Sequence, residues 1–199
     1  MSEGIDTNKS QLLNLKKTPA SFLAYGDTYL SAANILVLKK NDLDEVFKIG
    51  PIFQLSGQAF ELIAKSLLLH KGVSESELRK PKKFGHDLWK LREELQNHYD
   101  LASVVESTLL RHAETFFRDK RNEFQGLTLE QASDSLRFDW QLLALNENYF
   151  SFLDENRPTY RTRYPDVSLT YKPVRLEILL PCLDCLRDFA YSQISGSTK

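Results

Sequence analysis

Cysteine is scarce in this chain: two residues in 199. That excludes a disulfide framework as the source of stability. No stretch reaches 18 consecutive apolar residues, which excludes a transmembrane helix and with it a membrane partner of the spanning kind. The opening residues MSEGIDTNKS contain no hydrophobic segment of the sort a secretory signal needs. A cytoplasmic protein is therefore expected. Charge of one sign is also lacking. The formal net charge is −1, so no global field draws in nucleic acid or an anionic membrane, and such a partner would need a local patch. Internal repeats and low-complexity tracts are absent too.

What is present is helical periodicity. An apolar content of 42% is enough to fill one core, and the length fits one domain with short tails. We place a flexible tail at residues 1–17, a single domain at 18–193 and a second tail at 194–199. Ile52–Gly72, IFQLSGQAFELIAKSLLLHKG, reads as the central helix, because Ile52, Ala59, Phe60, Ile63, Leu67 and neighbouring leucines cover more than half of its surface. Gly72 is placed to stop it. Thr18-Pro19 is a start signal for an earlier helix with Phe22, Tyr25, Tyr29, Ala33 and Leu36 inward. Gly50-Pro51 either kinks the second helix or starts it afresh. A further helix begins near His86 with Leu88, Leu91 and Leu95 inward, and Ala102–Phe124 follows with Val105, Leu109, Ala113 and Phe116 on one face. Another runs to about Asp154 with Leu136, Trp140, Leu143 and Phe150 inside. Glu155 to Pro173 is a long non-helical piece, and a last helix reaches about Ser192 with Pro181 in it. Only Leu169–Leu180 is ambiguous with a strand. The fold class is all-α, a bundle of five or six main helices.

Within the central helix the polar residues form a stripe. Gln54, Gln58, Glu61 and Lys65 follow at steps of four, three and four. The ordinary reading is a solvated face with one Glu61–Lys65 pair, and the functional reading is a surface turned to a ligand. His86 follows Gly85 and opens a helical run, where it can cap the helix or meet a phosphate. Arg79–His86 and Arg92–His98 have a loose Arg…His spacing, and these four are the candidate catalytic residues. Pro81 prevents the first pair from sharing a regular helix. His112 falls on the apolar face and reads as a core-edge histidine. Cys182-x-x-Cys185 has no second cysteine pair, so buried thiols are expected rather than a metal site. Tyr160-Arg161-Thr162-Arg163-Tyr164-Pro165 is a proline-bounded loop whose arginines can fork onto phosphate and whose tyrosines can stack on a base.

Three pieces together resemble the HEPN family (higher eukaryotes and prokaryotes nucleotide-binding domain). They are the Glu61-x-x-x-Lys65 step in QAFELIAKSLLLHKG, then Gly85-His86-Asp87-Leu88 with Leu91, and then Arg163-Tyr164-Pro165. The resemblance covers about Pro19 to Ser192. It implies a helical bundle that forms homodimers and acts without a cofactor or metal. It implies either a nucleotide-binding module that partners nucleotidyltransferases, in toxin–antitoxin or defence systems, or a metal-independent ribonuclease. The ribonuclease branch uses an Arg and a His four to six residues apart. The binding branch keeps the His-Asp-Leu and Arg-Tyr-Pro elements found here. The favoured expectation is a non-catalytic module for a nucleotide or RNA phosphate, with His86, Arg163, Tyr164, Lys65, Glu61 and Arg161 lining one groove. The alternatives are the ribonuclease and a protein-interaction partner without a ligand. Apolar surplus on Thr18–Lys40 and Ile52–Leu69 adds to the homodimer expectation.

Overall fold

The structure is a computed structural model. It describes residues 18–39, 45–81, 83–119, 136–149, 151–154, 157–159 and 172–196. Its elements in chain order are α1 (Pro19–Leu38), α2 (Glu45–His70), α3 (Glu75–Leu78), α4 (Leu88–Gln96), α5 (Leu101–Asp119), α6 (Phe138–Tyr149), β1 (Ser151–Asp154), β2 (Arg157–Thr159) and α7 (Leu176–Ser195). The architecture is an all-α bundle. Among the described residues the two short strands pair only with each other, antiparallel, with Ser151 opposite Thr159 and an irregular register between Phe152 and Asp154.

Local chemistry sets the helix ends. Thr18 accepts a hydrogen bond from the Ser21 amide while the Ser21 hydroxyl accepts one from the Thr18 amide, a reciprocal cap. Ser74 caps the short α3 through the Glu77 amide. At the end of α2 the Val73 amide donates to the Leu68 carbonyl and the Gly72 amide to the Leu69 carbonyl. That closing pattern needs a residue at positive φ, and Gly72 supplies it at φ 92. Helix α2 runs unbroken through Pro51, which removes one amide from its ladder. Residues 45–49 belong to it.

Helix α2 is the centre. It packs on α1, α4, α6 and α7, and α1 makes the most extensive of these contacts. Ala59, Phe60, Ile63, Ala64, Leu67 and Leu68 are all fully enclosed. The apolar surplus read on Ile52–Leu69 is thus largely consumed inside the bundle. Leu88, Leu91 and Leu95 of α4 are fully buried, and Val105, Ala113 and Phe116 of α5 are buried, as their spacing predicts.

Two helices present a different face from the one their large residues suggest. In α1 the buried line is Leu23, Gly26, Leu30 and Ala33, while Tyr25 is 63% exposed. Small residues decide this: a Cβ on Gly26 would lie 2.9 Å from Ile63, so the close approach of α1 to α2 fixes which side turns in. In α6 the inward residues are Phe138, Leu142, Leu145 and Tyr149, and Trp140 is exposed. The buried polar residues of α6 hold neighbouring loops. Gln141 Oε1 accepts from the Arg175 amide, and Asn148 both donates to the Lys172 carbonyl and accepts from its amide. Helix α6 ends at Tyr149, not near Asp154, and β1 follows it. Helix α7 runs to Ser195, so the tail expected from residue 194 begins inside a helix.

Candidate functional site

The polar stripe of α2 is not a solvated face. Glu61 is 4% exposed and Lys65 is 7% exposed. Isolated charges at such depth would cost several kcal/mol each, so the surroundings must compensate them. They do so completely on the carboxylate side. Lys65 Nζ donates to Glu61 Oε1 at 2.7 Å, Tyr149 Oη donates to Glu61 Oε2 at 2.8 Å, and His86 Nδ1 lies 2.9 Å from the same Oε2. Lys65 also donates to the Gly85 carbonyl at 2.7 Å, and Gln58 Nε2 donates to Tyr149 Oη at 2.5 Å. One network therefore ties α2 to α6 and to the turn that carries His86.

A carboxylate can only accept, so His86 Nδ1 must carry the proton it shares with Glu61. Burial pushes the Glu61 carboxyl up. The hydrogen bond from His86 and the charge of Lys65 act against burial and prevail, holding the group below its ordinary value of 4.5. Glu61 is accordingly ionised, and Lys65 balances its charge within the core. The His86 side chain remains 38% exposed. The result is a histidine whose Nδ1 is held against a buried, charge-balanced carboxylate while part of its side chain meets solvent.

The expected phosphate seat at the start of the following helix is differently furnished. The helix begins at Leu88, and Asp87 rather than His86 is its cap, accepting from the Lys90 amide at 3.1 Å. The Leu88 amide donates to Asn146 Oδ1 of α6 at 2.8 Å. The protein's own side chains thus take up these free amides.

The Arg…His pairs are not assembled into common sites. Arg79 is exposed and pairs with Glu75 at 2.6 Å, one turn back on α3. Arg92 forks onto Asp139 of α6 and lies 5.1 Å over the Trp89 ring. His98 sits 3.7 Å from Glu94, behind the end of α4. A cavity of about 480 Å³ opens beside Arg92, floored by Leu101, Val105 and Phe138. Its wall holds Arg92 and Arg137 against Asp100, Glu106 and Asp139, so it offers no net positive charge to a phosphate. His112 is half-buried, and desolvation together with the Arg111 charge lowers its pKa, as suits a core-edge position. Cys182 is buried with its thiol pushed up to about 12, chiefly by burial, and Cys185 donates to the Val104 carbonyl at 3.1 Å. No group of three or more His, Cys, Asp or Glu side chains among the described residues is arranged to hold a metal ion, and no described helix is long and apolar enough to cross a membrane.

Of the six groove residues expected from sequence, the structure brings Glu61, Lys65 and His86 together. Arg161, Arg163 and Tyr164 lie outside the described residues. Tyr149 and Gln58 complete the network. Gln58 belonged to the sequence stripe, whereas Tyr149, at the end of a helix, carries no sequence signal beyond its buried face. Comparison of the chain with protein-family models, with curated proteins and with solved structures yields no match.

Proposed function

We propose that this chain is a non-catalytic binding module for a phosphate-bearing ligand, a nucleotide or an RNA end, with His86 as its contact residue. One observation carries the reading: His86 is held by the buried, Lys65-balanced Glu61 carboxylate at a partly exposed position. An ionised group is kept in the core at a cost that a purely apolar packing would avoid, and among its described partners a histidine reaches the surface. The resemblance of Glu61, Lys65 and the Gly85–Leu88 turn to the HEPN pattern supports the same reading. Against the ribonuclease alternative stands the dispersal of Arg79, Arg92 and His98 onto separate carboxylates.

The test is calorimetric titration of the full chain with nucleotides and with a short RNA bearing a terminal phosphate. His86→Ala should weaken binding at least tenfold; because it also takes one hydrogen bond from the buried Glu61 carboxylate, the melting temperature should fall by a few degrees, and affinities are compared well below both melts, where both proteins are folded. Unchanged affinity in His86→Ala refutes the assignment. Cleavage of the RNA by the native chain, lost in Arg92→Ala or His98→Ala, replaces the module with the enzyme.

A further inference from the structure

Helix α1 has an outward side unlike that of an ordinary surface helix. Ala24, Thr28, Ser31, Ile35 and Leu38 follow at steps of four, three, four and three, and all are exposed. Ile35 is 59% and Leu38 81% exposed, with Tyr25 beside them. A helix packed on a core by one face normally carries charge on the other. Here the only charged side chain in the whole helix is Asp27, and it lies toward α7, off the stripe.

The edge facing α7 has charge of one sign in excess. Arg187 Nη1 lies 3.3 Å from Asp27 and 2.7 Å from Asp184, and Nη2 lies 2.9 Å from Asp188. Among the described residues three carboxylates share one guanidinium, which leaves the ridge two negative charges in excess. Tyr191 Oη donates to Asp27 at 3.1 Å and Asn34 donates to Asp184 at 3.3 Å, which holds the ridge in place. An uncharged strip therefore runs alongside a fixed acidic edge.

We propose that this face docks an amphipathic helix of another protein, its apolar side on Ile35, Leu38 and Tyr25 and its lysines or arginines along the Asp27–Asp184–Asp188 edge. Size favours a single helix. The strip belongs to a helix of 20 residues, which is roughly 30 Å long. At one helix width of about 10 Å it offers roughly 300 Å², against about 800 Å² per partner in a stable two-domain interface. A helix laid on an apolar strip is an established mode of recognition at this scale. Charge argues in the same direction. An antiparallel two-fold pairing of α1 with a second copy would set the two acidic ridges on the same side, facing each other, and nucleic acid would meet repulsion. A cationic helix meets neither obstacle.

The experiment is fluorescence anisotropy of the full chain with two labelled amphipathic peptides, one of leucine and lysine, the other with glutamate in place of lysine. The lysine peptide should bind saturably and the glutamate peptide should not. Ile35→Lys should weaken binding at least tenfold with an unchanged thermal melt, since Ile35 is exposed. Asp188→Asn, at a carboxylate 70% exposed, should weaken it severalfold and flatten its salt dependence. Equal binding of both peptides, or full affinity in Ile35→Lys, overturns the proposal. So does sedimentation that finds a dimer at micromolar concentration which Leu38→Lys converts to monomer, because the face then belongs to a second copy.

Discussion

Replacing Glu61 by leucine removes the acceptor around which the buried network is built. Three donors lose this acceptor at once: Lys65 Nζ, Tyr149 Oη and His86 Nδ1. Lys65 keeps only the Gly85 carbonyl and remains a charge at 7% exposure. Breaking a buried pair by deleting one partner costs about 3–5 kcal/mol, whereas replacing both partners by apolar groups of similar volume is about neutral. In a chain of this size each kcal/mol moves the melting temperature by about 2–4 °C, so the single variant should melt roughly 6–20 °C lower. Glu61→Leu with Lys65→Met should recover most of that loss. A deficit of about 1 kcal/mol for each of the two remaining donors is expected, less for His86 because water reaches it. The assay is urea denaturation followed by circular dichroism for the native chain, both single variants and the double. A coupling above about 2 kcal/mol is expected from the cycle. A cost below about 1 kcal/mol with additive single variants would refute the reasoning, since Lys65 would then behave as an ordinary solvated pair member.

Three further outcomes follow from the same contacts. Gly57→Ala places a Cβ 2.4 Å from the buried Tyr149 ring. The ring must move, so a loss of about 1–3 kcal/mol should replace the usual gain for glycine to alanine in a helix; a higher melting temperature would contradict the packing described. The Glu61 carboxyl is held below 4.5 when folded, so the unfolded chain takes up that proton first. Its stabilising contribution is full above pH 4.5 and is lost as the pH falls through the lower folded value, and the Glu61→Leu/Lys65→Met variant should show a shallower acid decline in that window by urea titration. Cys182, buried with its thiol at about 12, should escape iodoacetamide in the folded protein and react once urea unfolds it; native modification seen by peptide mapping would show that α7 opens.

The sequence by itself determined what depends on neighbours along the chain. The caps at Thr18 and Ser74 and the stop at Gly72 are short-range hydrogen-bonding patterns, readable from residue types a few positions apart. The inward leucines of α4 and the Val105–Phe116 face of α5 follow from spacing alone, because one strong apolar stripe leaves a helix no second choice. The Glu61–Lys65 pair was legible for the same reason, at one helical turn. Where two faces compete, only tertiary packing decided. Tyr25 and Trp140 turn outward because Gly26 admits α2 closely and because Gln141, Asn148 and Tyr149 have partners on other segments. The depth of the polar stripe was likewise set by the helices that surround α2. Tyr149 reaches Glu61 from 88 positions away, and Asp139, not a ligand, claims Arg92. A periodic pattern states which side of a helix is polar. Whether that side meets water, a ligand or another helix depends on what packs against it, and no local residue pattern contains that.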